Sequence, residues 1–147
     1  MLHTKTRFPP SPTGFLHIGS LRTALFNYLV AKKNGGSFVL RIEDTDRERF
    51  VEGGVENIIQ TLHWAGLQVD EGPYLKEDGT IAQKGECGPY IQSQRLDIYK
   101  THVQKLLEQG NAYYCFCSKE RLDDLRKMQQ EAKEPTGYDG HCRDLVK

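Results

Sequence analysis

The spacing of apolar positions changes along the chain, and each change marks an element. Residues 4–8 are short and β-prone. From residue 18 to 33, Leu21, Ala24, Leu25, Tyr28 and Leu29 recur at helical spacing, and Asn34-Gly35-Gly36 reads as a stop. Residues 37–43 switch to a period of two, with Phe38, Leu40 and Ile42 alternating against Val39, Arg41 and Glu43. Strand, helix, strand at this spacing predicts a right-handed βαβ unit and a parallel sheet, an α/β fold. A second helix is expected over 51–65, with Val55, Ile58, Ile59 and Leu62 on one face and Gly66 closing it.

From 67 to 94 the period fades. Gly72, Pro73, Gly79, Gly85, Gly88 and Pro89 predict a loop-rich excursion. A third helix is expected over 95–109, striped by Leu96, Tyr99, Val103, Leu106 and Leu107 and stopped by Gly110. Residues 112–116 read as a third strand parallel to the first two. Ser118 is a good N-cap for a polar helix to Lys133, striped thinly by Leu122, Leu125 and Met128, with Pro135 and Gly137 as breakers. Residues 140–147 begin another element. Trp64, Tyr99, Tyr113 and Tyr114 are expected to pack inside.

The stretch between the first strand and the first helix is the most informative. Pro9, Pro10 and Pro12 fix φ, and Gly14 permits a conformation closed to other residues. Strand, tight loop and helix N-terminus form a geometry that binds phosphate, and His17 and Ser20 sit where side chains reach the same anion. Asp44 and Asp46 fall at a strand's carboxyl end, where open α/β sheets bind ligands. Neither G-x-G-x-x-G nor G-x-x-x-x-G-K-[ST] occurs. On these residues alone the loop reads either as an anion site or as an ordinary proline-rich lead into a helix.

Composition narrows the classes. The chain has 147 residues, about one domain, with 20 Lys plus Arg against 20 Asp plus Glu. A net charge of zero gives no global field toward nucleic acid, so such binding needs a local patch. Lys119, Arg121, Arg126, Lys127, Lys133 and Arg143 offer one. No run is long and apolar enough to span a membrane, and the opening MLHTKTRF is no signal peptide, so no membrane contact and a cytoplasmic location are expected. The chain has four cysteines, and the C-x-C pair Cys115 and Cys117 then points to metal rather than disulfides, with Cys87 a lone loop thiol.

Pro10-Ser11-Pro12-Thr13-Gly14-Phe15-Leu16-His17-Ile18-Gly19-Ser20 resembles the HIGH-type signature of class I aminoacyl-tRNA synthetases, with Ser20 at the fourth position in place of His. Arg7 before it, and Leu40 through Arg49 after it, resemble the glutamyl-tRNA synthetases. The resemblance implies a fold: the first half of a Rossmann-like catalytic domain over residues 1–114, then the start of a zinc-knuckle, acceptor-stem-binding insertion over 115–147. A KMSKS loop, a second catalytic half and an anticodon-binding domain are not seen, so the chain is expected to be the N-terminal part of a longer, monomeric enzyme and inactive alone.

The resemblance also implies roles. ATP, with Mg2+, is held at Pro10, Ser11, Pro12, Thr13, Gly14, His17, Gly19 and Ser20. His17 and Ser20 meet the phosphates as charge builds, and Gly19 leaves room for the nucleotide. Arg7 grips the glutamate side chain, Glu43 accepts its ammonium and Ser11 adds a polar contact. Cys115, Cys117 and Cys142 hold zinc. The fourth ligand is Asp144, two after Cys142, or Tyr138, four before it, with Asp144 slightly favoured. The implied activity is ligation of L-glutamate to tRNA(Glu) through a glutamyl-adenylate. The alternative is the paralogue that glutamylates queuosine in tRNA(Asp), which Tyr138-Asp139-Gly140-His141-Cys142 resembles. Thr23 to Asn27 and Thr45-Asp46-Arg47 look instead like the full synthetase.

Overall fold

The computed structural model describes residues 4–145, and contacts divide the chain after Leu96 into two compact units.

In the first unit, β1 (Lys5–Phe8) and β2 (Ser37–Leu40) pair in parallel, with Lys5 opposite Ser37 and Phe8 opposite Leu40. Helix α1 (Ile18–Lys33) connects them and has the bounds its periodicity predicts. Gly35, at φ +60°, supplies the left-handed turn that ends it, a conformation glycine adopts without the cost of a Cβ. Thr6 Oγ1 donates to the Asn27 carbonyl at 2.8 Å, and the Tyr28 ring meets Phe38 edge-on at 5.7 Å, so α1 covers the sheet face carrying Thr6, Phe8 and Phe38. Phe38, Leu40 and Ile42 are fully buried, each worth about 1.5–3 kcal/mol. Apolar residues of α1 are not confined to its core face: Ile18, Phe26 and Leu29 remain exposed.

Helix α2 (Gly54–Trp64) starts three residues later than expected and buries Val55, Ile58 and Leu62 against the same core. Trp64 is its last residue and is 81% exposed, which corrects its expected place inside: at the helix end it points past the core.

The sheet extends on the far side of β2 without a regular strand. Asp70 N donates to Phe38 O, Leu40 N to Glu71 O, and Ile42 N to Tyr90 O. Val39–Glu71 and Ile42–Ile91 form isolated parallel bridges. Between them, residues expected to be loop form an antiparallel hairpin of β3 (Gly72–Leu75) and β4 (Ile81–Lys84), turning at Lys76 to Thr80. A short 3-10 turn (Gln92–Arg95) then leads to α3 (Leu96–Glu108).

In the second unit, α3 has no fully buried residue. The expected strand at 112–116 is absent: these residues are irregular and lie in a different unit from the parallel sheet. Ser118 caps α4 (Lys119–Glu131) as expected, its hydroxyl accepting from Arg121 N at 3.2 Å. In place of a further element, Arg143 N bonds Gly140 O in a turn, and residues 146–147 of that expectation lie outside the described residues.

Asp70 clamps the first unit. Its carboxylate takes Lys32 Nζ at 2.8 Å and the Phe38 amide at 2.7 Å, joining the end of α1 to β2. Partial burial pushes the acid up, but Lys32 and the Phe38 N–H outweigh this and hold it below its ordinary 3.8. A depressed acid contributes stability that is present above its unfolded value and is lost as pH falls through its folded one. Asp70→Asn is therefore expected to cost about 1–2 kcal/mol at neutral pH, and the gap to wild type to shrink below about pH 4, as read by denaturant melts across pH. A gap that widens in acid would contradict the clamp.

Candidate functional site

The loop after β1 is held by its carbonyls. Pro9, Pro10 and Pro12 have no N–H to donate, so this part of the loop docks by accepting. Arg41 N donates to Phe8 O at 3.1 Å, Glu43 N to Pro10 O at 3.0 Å and Val51 N to Pro12 O at 3.0 Å. Pro12 is fully buried, and Leu16 N donates to Asn57 Oδ1 of α2 at 2.9 Å. Leu16 and Leu21 stand at hydrophobic-staple positions and both pack on the core, fixing the angle at which the chain enters α1.

His17 is the N-cap of α1. Its Nδ1 accepts from Gly19 N at 3.2 Å, and its Nε2 lies 3.1 Å from Ser20 Oγ. An accepting Nδ1 leaves the proton of a neutral ring on Nε2, so Nε2 donates to Ser20 Oγ and the serine hydroxyl hydrogen stays free for a ligand. No acid occupies the first turn of α1, which leaves the positive helix end to an exogenous anion. A Cβ on Gly19 would come within 3.1 Å of the His17 ring, so this glycine leaves room for the imidazole. Gly14 has neither a positive φ nor any atom within 4 Å of a built Cβ, so the special conformation expected there is not present.

A cavity of about 510 Å3 opens here, lined among others by Pro10, Ser11, Thr13, Gly14, His17 and Ser20. Arg7 and Glu43 do not line it. Strand alternation and the Arg7–Val39 register put Arg7, Val39, Arg41 and Glu43 on the sheet face away from α1. Arg7 and Glu43 thus share a face with each other, and Glu43 meets the loop through its backbone bond to Pro10. Asp44 is a structural tie, accepting from Ser93 N at 2.8 Å and Ser93 Oγ at 2.6 Å. Asp46 pairs with Arg49 at 2.5 Å, and that hydrogen bond holds its carboxyl below the ordinary range.

In the second unit the Sγ atoms of Cys115, Cys117 and Cys142 lie within 4.8 Å of one another, while Cys87 is remote and exposed. The Tyr138 hydroxyl joins them, 3.5 Å from Cys115 Sγ and 3.7 Å from Cys117 Sγ, and it accepts from Cys142 N at 2.9 Å. Among the described residues, neither the Asp144 carboxylate nor the His141 imidazole belongs to the cluster. The Tyr138 hydrogen bond and the Phe116 N–H draw the Cys142 thiol down to about 7, whereas burial pushes Cys117 up. Three soft thiolate donors at this separation suit zinc.

Two residues that sequence reasoning missed position this cluster. Arg121 reaches Cys117 Sγ at 3.4 Å and pairs with Asp139 at 2.5 Å. Gln129 exchanges two 3.0 Å hydrogen bonds with the Gly137 backbone, tying α4 to the Tyr138 loop. No periodicity signals either role. Half of the expected basic patch is paired with acids, Arg126 with Asp123, Lys127 with Asp124 and Arg121 with Asp139.

Comparison with known proteins agrees with this arrangement. A family model described as tRNA synthetases class I (E and Q), catalytic domain, matches residues 3–147. The glutamate--tRNA ligase of Clostridioides difficile (strain 630) is 58% identical over 146 residues, covering 99% of this chain and 30% of the relative. That of Alkaliphilus metalliredigens (strain QYMF) is 58% identical over 147 residues, covering 100% and 30%. A crystal structure of a glutamate tRNA ligase from Elizabethkingia meningosepticum, in complex with its amino acid, superposes with a TM-score of 0.76 at 39% identity, covering 99% of this chain and 28% of that one. The chain thus spans under a third of the length of these relatives. Strand, proline loop and His17-capped helix therefore belong to a member of the class I tRNA synthetase family of the E and Q type, within its catalytic domain.

Proposed function

We propose that the intact protein ligates L-glutamate to tRNA(Glu) in two steps. A glutamate carboxylate oxygen attacks the α-phosphorus of ATP, the bond to pyrophosphate breaks, and glutamyl-adenylate forms. A terminal ribose hydroxyl of tRNA then attacks the acyl carbon, and AMP leaves. No nucleophile is asked of the protein, only positioning and stabilisation of developing charge. Mg2+, when bound with ATP, would offset negative charge on the pyrophosphate.

The observation that carries this reading is the His17 cap at the lip of the cavity, on a helix end with no acid of its own. The Ser20 hydroxyl, held by His17, donates to a phosphate oxygen. Ser11 lines the same cavity. Arg7 and Glu43, sharing the opposite sheet face, supply the guanidinium for the glutamate side chain and the acid for its ammonium, so the adenylate crosses the carboxyl edge of the sheet between them and α1. Glutamine lacks the charge Arg7 needs, and a desolvated guanidinium left unmatched disfavours it. The relatives compared carry the glutamate--tRNA ligase name, which weighs against the queuosine-modifying paralogue.

The donor set of Cys115, Cys117, Cys142 and Tyr138 fits a structural zinc, with the tyrosine oxygen, one of the two candidates the resemblance implies, as the fourth donor. When bound, the metal would hold the C-x-C segment to the Tyr138–Cys142 loop and takes no part in the chemistry.

Two outcomes are expected. His17→Asn retains a side-chain oxygen to cap α1, so the intact protein should melt as wild type does, yet glutamate-dependent ATP–pyrophosphate exchange should fall about 10²–10³-fold. His17→Ala should also lose about 1 kcal/mol of stability. An Asn variant exchanging at the wild-type rate would sink the catalytic role. For the metal, Tyr138→Phe should weaken zinc retention about tenfold or more in elemental analysis against a chelator series, while Asp144→Asn should leave it unchanged. The reverse ranking would restore Asp144 as the ligand.

A further inference from the structure

Beyond β2 the chain runs on between two neighbours. On one side Arg41 N and Glu43 N reach the proline loop. On the other, Ile42 N donates to Tyr90 O at 2.9 Å, and the Ile42 carbonyl accepts from Gln92 N at 2.9 Å. Residues 45–50, which follow, are irregular and mostly exposed. Between Glu43 and that irregular stretch stands the Asp44 carboxylate. It takes both the N–H and the hydroxyl of Ser93, 49 residues further along the chain. Two donors from one residue fix a carboxylate in orientation as well as distance, and hydrogen bonds to a charged group are the stronger kind.

The anchor is itself braced. Ser93 lies in the 3-10 turn, where Arg95 Nη1 donates back to Pro89 O at 2.6 Å and to Cys87 O at 3.2 Å. Gln83 of β4 donates to Gln94 Oε1 at 2.7 Å. Tyr90 is buried; its hydroxyl donates to Glu71 at 2.7 Å, and Glu71 pairs with Lys5 of β1. Hairpin, turn and β1 thus form one hydrogen-bonded frame, and the Asp44–Ser93 pair is where that frame grips the residue next to Glu43.

We propose that Ser93, acting through Asp44, is a positioning residue for the amino-acid substrate: it holds the Glu43 carboxylate at the spacing from Arg7 that the ammonium and side-chain carboxylate of one molecule require. This rests on the roles of Arg7 and Glu43 proposed above and adds the residue that sets their separation. Ser93 itself touches no substrate. Its loss acts on the ammonium and spares the nucleotide, because the cavity assigned to ATP is lined by residues between 8 and 23.

The test uses the intact protein and glutamate-dependent ATP–pyrophosphate exchange with tRNA(Glu) present. Glutarate, which has both carboxylates and no ammonium, serves as a competitor. Ser93→Ala keeps the N–H to Asp44 and removes the hydroxyl. It should raise KM for glutamate at least about fivefold, with kcat and KM for ATP within about twofold of wild type. Glutarate should inhibit this variant no more weakly than wild type. Ser93→Thr, which returns a hydroxyl, should restore KM. Glu43→Gln should raise the same KM, and adding Ser93→Ala to it should cost nothing more. A wild-type KM in Ser93→Ala beside a raised KM in Glu43→Gln would overturn the positioning role and leave the glutamate reading intact. A wild-type KM in Glu43→Gln would overturn that reading and the proposal with it. Equal weakening of glutamate and glutarate by Ser93→Ala, or a raised KM for ATP, would make Ser93 a brace of the fold alone and would also overturn the proposal.

Discussion

Three carbonyl oxygens hold the site together. The loop after β1 has lost three donors to Pro9, Pro10 and Pro12, and Phe8, Pro10 and Pro12 accept in succession from Arg41, Glu43 and Val51. The pairing of β1 with β2 thus continues beyond both strands, to where the chain turns into α1. Everything that gives the site its chemistry follows from that attachment. It sets the start of α1 and the position of His17, and it puts Glu43 one hydrogen bond from the loop. It also brings α2 to the loop, since Leu16 bonds Asn57. A loop whose Pro9, Pro10 and Pro12 carry no N–H docks at those positions by its carbonyls, where the N–H groups of Arg41, Glu43 and Val51 face it.

The same logic governs the second unit on a smaller scale. Three thiols and a phenol converge because α4 is tied to the Tyr138 loop at Gln129 and at Arg121, and a turn at Gly140 brings Cys142 back. With α3 and α4 burying no residue fully, this polar and sulfur-lined junction, rather than an apolar core, organises the segment.

What was legible in the sequence was what depends on short-range pattern. α1 has the bounds its period and its Asn34-Gly35-Gly36 stop imply, and Ser118 caps α4 for the reason its side chain suggests. Phe38, Leu40 and Ile42 are buried because a period-two run between two helices has one place to go. The failures have long-range causes. The β3–β4 hairpin was hidden by Gly72, Pro73 and Gly79, residues that read as loop although they sit at a strand start and a turn. The apolar run at 112–116 looked like a strand, but Cys115 and Cys117 within and beside it gather with Cys142, 25 residues beyond Cys117. The resemblance offered both Asp144 and Tyr138 as a fourth ligand, and the structure brings the Tyr138 hydroxyl to the thiols. Trp64 looked like core by size, and only its place at the end of α2 explains its exposure. Arg7 and Glu43 were legible as a pair of opposed charges, but not as residues on the sheet face away from His17.

The carbonyl attachment is accessible to one direct measurement: amide hydrogen exchange resolved to single residues, without ligand. If the loop is docked as described, the amides of Glu43 and Val51, which lie outside every regular strand and helix, exchange at least about a hundredfold more slowly than that of Arg47 between them. Exchange at Glu43 and Val51 as fast as at Arg47 would mean that the proline loop is not held by its carbonyls, and the position of His17 would lose its physical basis.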